Sequence, residues 1–253
     1  MSFTNHKISN SANGKKNKVP AISLTSLVRE RSGFTVGKRI LDILVASVLI
    51  LTVLSWLIPI VSILILIDSR SPVFFRQRRV GRFGIPFYCL KFRTMYKNIE
   101  ADYKQATDDD PRITRLGHFL RKTNIDELPQ LFNVLMGHMS IVGPRPHMYK
   151  DCRDFNAVVK NYKLRTLVKP GITGLAQIKG FRGPTDTELS ITQRFKWDLF
   201  YIKKASLLLD AAIIATTAAQ TFAHFFTVTY SFASEKNRSG KKIPIQGKKQ
   251  IAA

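Results

Sequence analysis

The sequence is poor in cysteine and in acidic residues. Its 253 residues include two cysteines, Cys89 and Cys152, which cannot form a CxxC motif, and no histidine-rich cluster accompanies them. This scarcity argues against a disulfide framework or a structural zinc site and favours a reducing compartment. Because 17 Asp and Glu stand against 40 Lys and Arg, the net charge of +23 predicts polyanionic partners: anionic lipid, phosphorylated substrates or nucleic acid.

The two ends of the chain lack sustained hydrophobic periodicity. The N-terminal part is rich in Ser, Asn and Lys, and it does not have the charged start, short apolar run and cleavage site of a secretory signal peptide. We predict a disordered basic arm over residues 1–35 and a solvated basic tail over residues 233–253.

A long apolar run between residues 40 and 67 contains one charge, Asp42. A straight helix of this length measures roughly 42 Å, more than the roughly 30 Å of a bilayer core. Lys and Arg flank both ends of the run, so both ends prefer the cytoplasm. Pro59 cannot donate to the carbonyl of Ser55, which favours a kink. We predict a re-entrant membrane helix over residues 36–70, with a spanning helix as the alternative.

Residues 71–232 are expected to form one cytoplasmic domain at the membrane surface. Two short runs rich in aromatic residues, 72–77 and 87–95, are separated by glycines and a proline, a pattern typical of a β-hairpin. In a strand Lys91 and Arg93 point to one face, where they would form a phosphate clamp or a solvated basic face.

Two later stretches have helical character. Residues 187–204 show apolar residues at helical spacing, which predicts an amphipathic helix either at the lipid headgroups or facing the core. Residues 205–230 are apolar but contain Asp210 and His224, so a buried or interfacial helix is favoured over a span.

Two polar motifs have both a binding and a structural interpretation. Asp108, Asp109 and Asp110 invite a metal site, but an Asp before Pro111 more often starts a turn. The KPGITG motif at 169–174 predicts either an anion-binding nest or a tight turn, and the turn is favoured.

An adjacent carboxylate pair, Asp126 and Glu127, lies between the cations Arg121 and Arg145. Acidic groups among cations suit phosphate chemistry. The structural alternative is that the pair begins an α-helix, in which a carboxylate stabilises the free N–H groups.

The helical alternative makes specific predictions. Thr123 or Asn124 would be the N-cap residue, Pro129 would lie in the first turn and Gly137 would end the helix. From this stretch alone, capping and catalysis both stay open.

Five motifs follow one another in a fixed order: KFRTM at 91–95, DPRIT at 110–114, LRKTNIDELPQLFNVL at 120–135, MSIVGPRP at 139–146 and KPGITG at 169–174. In this order they resemble the bacterial sugar transferases, the monotopic phosphoglycosyl transferases that start exopolysaccharide and O-antigen assembly. The likeness covers most of the chain.

The resemblance implies transfer of a sugar 1-phosphate from a UDP-sugar to undecaprenyl phosphate, with release of UMP. Asp126 matches the family's nucleophile, which forms a covalent aspartyl–phosphosugar, and Glu127 matches a magnesium-binding carboxylate. The implied cofactor is Mg²⁺, held by Glu127 and Asp126. The other implied site residues are the phosphate-binding Lys91, Arg121 and Arg145 and the active-site acid Asp198.

The expected partners are UDP-sugar, undecaprenyl phosphate and membrane phospholipids; nucleic acid is not expected, and a homo-oligomer stays open. The expected location is the bacterial inner (cytoplasmic) membrane, with the catalytic domain on the cytoplasmic face. The expected fold class is α+β, mainly helical. It combines a re-entrant membrane helix with a small cytoplasmic catalytic domain that has a short β-hairpin and amphipathic interfacial helices.

Two positions depart from the family pattern. Many members place Ser and Pro side by side at the kink, whereas three residues separate Ser55 from Pro59, and many carry Trp where this chain has Leu175. The resemblance implies a minimal form of the enzyme without a multi-span N-terminal extension.

Two rival functions stay open. A non-enzymatic, membrane-tethered basic protein that binds anionic lipid or nucleic acid explains the charge but not the carboxylate pair. A structural subunit of a polysaccharide-export complex is the other, and no motif identifies the sugar.

Overall fold

A computed structural model describes residues 32–70, 72–97, 106–107, 110–182 and 187–239, and these are mainly helical. Most of the predicted arm and tail lies outside the described residues. Within the described parts, one helix begins at Ser32, inside the predicted arm, and another ends at Ser239, inside the predicted tail.

The N-terminal apolar run is one long helical rod with an irregular turn. Helix α1 (Ser32–Leu49) leads through a π-helical turn (Ile50–Leu54) into helix α2 (Ser55–Ser69). In that turn the Ser55 N–H bonds to the Ile50 carbonyl, five residues back. The irregular turn therefore ends directly before Ser55. Pro59 lies inside α2, where it has no N–H to donate to the Ser55 carbonyl.

The predicted β-hairpin is present. Strands β1 (Phe74–Val80) and β2 (Pro86–Phe92) pair antiparallel, joined through a short 3₁₀ turn (Arg82–Gly84). The alternation of the pattern and the glycines at the turn account for this element.

The remaining domain is built from short elements and two long helices. In chain order they are α3 (Arg115–Thr123), a 3₁₀ turn (Ile125–Glu127), α4 (Gln130–Leu135), β3 (Ser140–Val142), α5 (Tyr149–Val158), a 3₁₀ turn (Tyr162–Leu167), β4 (Gly171–Thr173), α6 (Leu175–Ile178), α7 (Glu188–Lys204) and α8 (Leu207–Ser239).

A second sheet, of two parallel strands, was not predicted. Strand β3 pairs with β4, so the KPGITG motif is neither a nest nor a simple turn. The Gly171 N–H already donates to the Pro144 carbonyl, which removes it as an anion donor. A Cβ on Gly171 would lie 2.1 Å from the Gly143 nitrogen, so both strands can approach here because position 171 has no side chain.

The main core lies between β2, α4, β3 and α7 and includes fully buried Val134, Met139, Tyr162 and Phe195. Helix α7 contributes Ile191, Phe195 and Leu199 to this core. The core-facing alternative for residues 187–204 is therefore confirmed. Leu189 and Phe200 on the same helix are exposed, and a position at the lipid headgroups stays a prediction. Hydrophobic periodicity shows that a helix has an apolar face but not what covers it.

Helix α8 has a largely exposed apolar surface. Leu208, Phe222, Phe226 and Tyr230 are all exposed, so the buried alternative for residues 205–230 is wrong. Within the described part of the chain, Gly33–Ser69 and Leu207–Tyr230 are long and apolar enough to cross a membrane by length and composition. Exposed apolar surface of this extent indicates membrane association.

Buried polar contacts fasten α1 and α8 to each other and to the domain. Lys38 Nζ donates to Asp210 Oδ2 at 2.7 Å and to the Val142 carbonyl at 2.9 Å. The Tyr201 hydroxyl donates to Asp210 Oδ1 at 2.7 Å. Fully buried Asp210 therefore joins both apolar helices to α7.

The two ends of the apolar rod contact the same domain. Near its start, Arg39 donates to the carbonyls of Val134 and Leu135, and Asp42 Oδ1 accepts from the Ile141 N–H at 2.8 Å. At its far end, Asp68 Oδ2 accepts from the N–H of Leu116 in α3 at 3.3 Å.

Candidate active site

The carboxylate pair lies on a 3₁₀ turn rather than in the first turn of an α-helix. Helix α3 ends at Asn124, which adopts a left-handed conformation (φ 58°) and makes no side-chain cap. Thr123 is still within α3, and Pro129 is the N-cap residue of α4 instead of a first-turn residue. The prediction of an α-helical cap by Thr123 or Asn124 is therefore wrong, because Asn tolerates the left-handed region and reverses the chain.

The expected stop at Gly137 is confirmed. Helix α4 ends at Leu135, and Gly137 has φ +81°, a conformation that favours glycine. The pair is thus fixed between two helix ends, and both carboxylates are buried.

Glu127 is held by cations from three parts of the chain. Lys91 Nζ donates to Oε1 at 2.8 Å, and Arg145 Nη2 and Nη1 donate to Oε1 at 2.6 Å and Oε2 at 3.1 Å. Arg182 Nη2 lies 3.9 Å from Oε2. Burial alone would raise the pKa of Glu127, but Arg145 and Lys91 hold that pKa well below its usual range. Glu127 is therefore a permanent anion.

Asp126 has the opposite environment. Within the residues that the structure describes, no hydrogen bond or ion pair occupies its carboxylate. Burial and the neighbouring Glu127 charge, offset in part by Lys91 and Arg121, raise the pKa of Asp126 to about 6. At pH 7 it is still mostly ionised, poorly solvated and unpartnered, which are the properties of a reactive nucleophile.

Asp198 acts on the site through Arg165. Both side chains are buried, and Arg165 Nε and Nη2 donate to Asp198 Oδ2 at 3.1 and 2.8 Å. The same Nη2 donates to the Arg145 carbonyl at 2.9 Å. The structure therefore places Asp198 behind Arg145 and not against the carboxylate pair.

Lys91 and Arg93 do not form a clamp. Lys91 reaches Glu127, whereas Arg93, just after β2, donates to the Pro72 carbonyl at 2.7 Å and lies over the Phe75 ring. The prediction that Lys91 and Arg93 point to one face of a strand is wrong, because strand β2 ends at Phe92 and side chains alternate regularly only within a strand.

Asp110 has a structural partner. Its carboxylate binds the Arg112 guanidinium at 2.6 Å and the Arg112 N–H at 3.0 Å, so the turn interpretation of Asp110 is confirmed. Asp108 and Asp109 lie outside the described residues. Among the residues described, no group of three His, Cys, Asp or Glu side chains is close enough to hold a metal ion.

A cleft of about 630 Å³ opens beside the pair, between the 3₁₀ turn and α8. Arg121, Glu127 and Arg182 line it on one side, and residues of α8 line the other. Of the predicted phosphate-binding residues, Arg121 is the one that lines this cleft.

The carboxylates have the chemistry that Mg²⁺ prefers. Magnesium in phosphate-transfer sites binds one or two carboxylates and the substrate phosphates, and keeps several waters. Glu127 Oε2 accepts one contact at 3.1 Å and each carboxylate oxygen has two acceptor positions, so Glu127 retains capacity beside its ion pairs. Asp126 would supply the second oxygen donor.

A sequence model described as bacterial sugar transferase matches residues 34–224, which is most of the chain. The chain belongs to this family. Of the sugar transferase relatives, one from Klebsiella pneumoniae is 47% identical over 74% of this chain and is named UDP-glucose:undecaprenyl-phosphate glucose-1-phosphate transferase. An Aeromonas hydrophila relative, named UDP-N-acetylgalactosamine-undecaprenyl-phosphate N-acetylgalactosaminephosphotransferase, is 42% identical over 71%.

This sugar transferase chain spans 40% of the Klebsiella relative and 42% of the Aeromonas one. A relative from Rhizobium leguminosarum bv. phaseoli, the exopolysaccharide production protein PSS, is 43% identical over 71% of this chain, and the match covers 92% of that relative.

Two site residues of this sugar transferase were missed by sequence reasoning. Arg165 and Arg182 lie outside the quoted motifs, in stretches whose spacing indicates no element. Their partners, Asp198 and Glu127, are 33 and 55 positions away, so no local pattern reports the contacts. A carboxylate on the apolar face of a helix, as at Asp198, was the available signal, since a buried carboxylate requires a cation.

Proposed function

We propose that the chain transfers a sugar 1-phosphate from a UDP-sugar to undecaprenyl phosphate. The observation that carries the proposal is the contrast between the neutralised Glu127 and the unpartnered Asp126 beside it. The proposal is also supported by the names of the relatives, which refer to undecaprenyl-phosphate acceptors and to different sugars. The sugar itself stays open.

The reaction proceeds in two displacements. An oxygen of Asp126 attacks the β-phosphorus of the UDP-sugar and forms an acyl phosphate bond, while the bond from that phosphorus to the bridging oxygen breaks and UMP departs. An oxygen of the lipid phosphate then attacks the same phosphorus, which breaks the bond to Asp126 and restores its carboxylate. The product is a lipid diphosphosugar, and the initiation of exopolysaccharide or O-antigen type glycans follows from it.

The protein's cations make both steps possible. Three anions meet at the site, namely the nucleophile, Glu127 and the diphosphate. Arg121 faces the cleft and is free to bind phosphate, while Lys91 and Arg145 keep Glu127 and the substrate from repelling each other. Glu127 and Asp126 would hold Mg²⁺, which would neutralise further charge on the departing UMP.

A re-entrant α1–α2 rod at the bacterial inner membrane, with the domain on the cytoplasmic face, is the topology that we propose. It is supported by the contacts of both rod ends with one domain. The Ser55 hydroxyl donates to the Leu51 carbonyl and the Trp56 indole to the Thr52 carbonyl, which satisfies backbone at the irregular turn as a low-polarity environment demands.

Replacing the nucleophile tests the function. We expect Asp126→Asn to abolish UMP release from UDP-sugars in a membrane assay, and Glu127→Gln to reduce it by at least about 10²-fold, as for loss of a main electrostatic group. The matched control is Asp154→Asn, an exposed acid on α5, which we expect to retain wild-type activity. Intact-protein mass spectrometry should detect a phosphosugar adduct that disappears in Asp126→Asn.

Three results would contradict the proposal. Full activity of Asp126→Asn would remove the nucleophile assignment, and the absence of an adduct under trapping conditions would remove the double displacement. Salt-sensitive binding to anionic lipid or nucleic acid without any UMP release would favour the non-enzymatic basic protein that the charge of +23 also permits.

A further inference from the structure

The cleft beside the carboxylate pair has two walls of opposite character. Arg121 and Lys122 from the end of α3, together with Arg182, make one wall cationic near Glu127. The opposite wall is formed by one side of α8 and, among the described residues, has no Lys, Arg, Asp or Glu. Phe222 and Phe225 line the cleft there, together with Thr217, Gln220, Thr221 and His224. A ligand that satisfies both walls carries an anionic head and an apolar body.

The aromatic wall is held in position by the domain. Thr217 and Thr173 hydroxyls are hydrogen-bonded at 2.7 Å, and Gln220 Nε2 donates to the Ile178 carbonyl at 3.2 Å. These contacts tie α8 to β4 and α6 directly before Phe222. The distance between the walls is therefore set by the fold.

The aromatic wall continues beyond the cleft as exposed apolar surface. Phe226 and Tyr230 follow Phe222 on α8 at intervals of four residues, so they lie on the same side of the helix. Their side chains are 66% and 79% exposed. An apolar chain that leaves the cleft therefore meets hydrocarbon-compatible surface, whereas a nucleotide sugar has no apolar chain that could extend along it.

We propose that this cleft is the acceptor subsite and takes an isoprenoid phosphate. The phosphate head lies against Arg121, Lys122 and Arg182, and the first isoprene units lie along Phe222 and Phe225. This assignment as acceptor rests on the proposed transfer reaction. It explains why Glu127, next to the nucleophile, lines the same cleft, since the acceptor phosphate must reach the phosphorus carried by Asp126.

Two phenylalanines of α8 provide a matched comparison. Phe222 is 67% exposed and lines the cleft, whereas Phe226 is 66% exposed and does not. Both rings offer about the same exposed area to the membrane. A difference in KM between their alanine variants therefore measures the contribution of the cleft. We expect Phe222→Ala to raise the KM for undecaprenyl phosphate on the order of tenfold, as for lost aromatic contact area. Phe226→Ala, which removes apolar surface outside the cleft, should raise that KM much less.

The KM for the donor, the UDP-sugar, is the internal control for the KM of the lipid acceptor. Measured on the full chain in nanodiscs, the KM for the UDP-sugar should rise much less in Phe222→Ala than the KM for the lipid. Equal increases in both constants would place the nucleotide sugar in the cleft and overturn the proposal. Equal effects of Phe222→Ala and Phe226→Ala on the KM for the lipid would show that both rings act only through general membrane contact, and this result would also overturn the proposal.

A binding experiment separates this proposal from the catalytic one. A photoreactive isoprenoid phosphate, with a diazirine on its first isoprene unit, should label residues 217–225 in the absence of UDP-sugar. Unlabelled isoprenoid phosphate should suppress the labelling, and the neutral isoprenoid alcohol should not. Labelling elsewhere, or equal suppression by the alcohol, overturns the cleft assignment. The expected labelling without any UMP release supports the cleft and contradicts the proposed reaction.

Discussion

Asp126 and Glu127 are adjacent in the chain and equally buried, yet their electrostatic surroundings are opposite. Lys91 and Arg145 contact Glu127 directly, while the same cations act on Asp126 only from a distance. Adjacent residues on a 3₁₀ turn point about 120° apart, which is enough to give each carboxylate its own environment. The division between an anchored anion and a reactive one is therefore a property of the turn.

The first prediction at this scale concerns pH. Because the pKa of Asp126 is raised to about 6, we expect kcat/KM for UMP release to increase as the pH rises from 5 to 7, with a midpoint near 6. Arg121→Gln should move the midpoint to higher pH, since Arg121 lowers that pKa. Arg115→Gln, at the other end of α3, is the control that should leave the midpoint in place. A flat profile between pH 5 and 7 would contradict the nucleophile assignment.

The second prediction concerns stability. The folded state binds a proton at Asp126 more tightly than the unfolded state, so the free energy of unfolding falls as pH rises from about 4 to 6. Asp126→Asn should therefore stabilise the protein at pH 7, on the order of 2 kcal/mol, and much less at pH 4.

Glu127→Gln provides the contrast, because it leaves Lys91 and Arg145 without their counter-charge. We expect it to lower the free energy of unfolding by roughly 3 kcal/mol at pH 7. Thermal unfolding in detergent micelles at the two pH values measures both variants. Shifts of the same sign at pH 7 would show that the two carboxylates are not electrostatically distinct.

At the scale of elements, a single arginine connects α7 to the site. Arg165, in the 3₁₀ turn Tyr162–Leu167, binds Asp198 of α7 and the carbonyl of Arg145. The Arg145 guanidinium in turn holds Glu127. A core helix thus determines the position of a residue that contacts the carboxylate pair.

Asp198→Asn tests this connection. The pair is buried, so we expect a loss of roughly 3 kcal/mol in the free energy of unfolding, and a fall in kcat that exceeds any change in the KM for UDP-sugar. The exposed pair Arg153–Asp154, with a separation of 3.6 Å, is the control, and Asp154→Asn should cost less than about 1 kcal/mol. Equal destabilisation by the two variants would contradict the positioning role.

The elements differ in how well the sequence predicted them. The hairpin, α7 and the apolar rod have periodic patterns long enough to identify, and all three are present. Strands β3 and β4 have three residues each, too short for any alternation to be recognised, and their pairing joins positions 31 apart. The 3₁₀ turn at the site was misjudged because it depends on the backbone conformation of Asn124, which composition does not report.

At the scale of the whole molecule, one domain holds both ends of the apolar rod. Asp42 near one end accepts from Ile141, and Asp68 at the other accepts from Leu116. A rod that crossed the bilayer would separate these contacts by roughly 30 Å of hydrocarbon.

Cysteine labelling tests the resulting topology. In a background with Cys89 and Cys152 replaced by alanine, single cysteines at Gly33 and Pro72, both exposed, should react with an impermeant maleimide from the same side. In intact spheroplasts neither should react until the membrane is opened. Labelling of one position from outside and the other from inside would refute the re-entrant arrangement.

The contact between Lys38 and Asp210 also has a consequence for biosynthesis. Its two residues are 172 positions apart, so the partner of Lys38 is made long after the apolar rod has left the ribosome. Domains fold as units once their segments are available. We expect the rod to enter the membrane first and the turn that holds Asp126 and Glu127 to be assembled last. An unfinished nascent chain should therefore lack the folded environment of the proposed nucleophile.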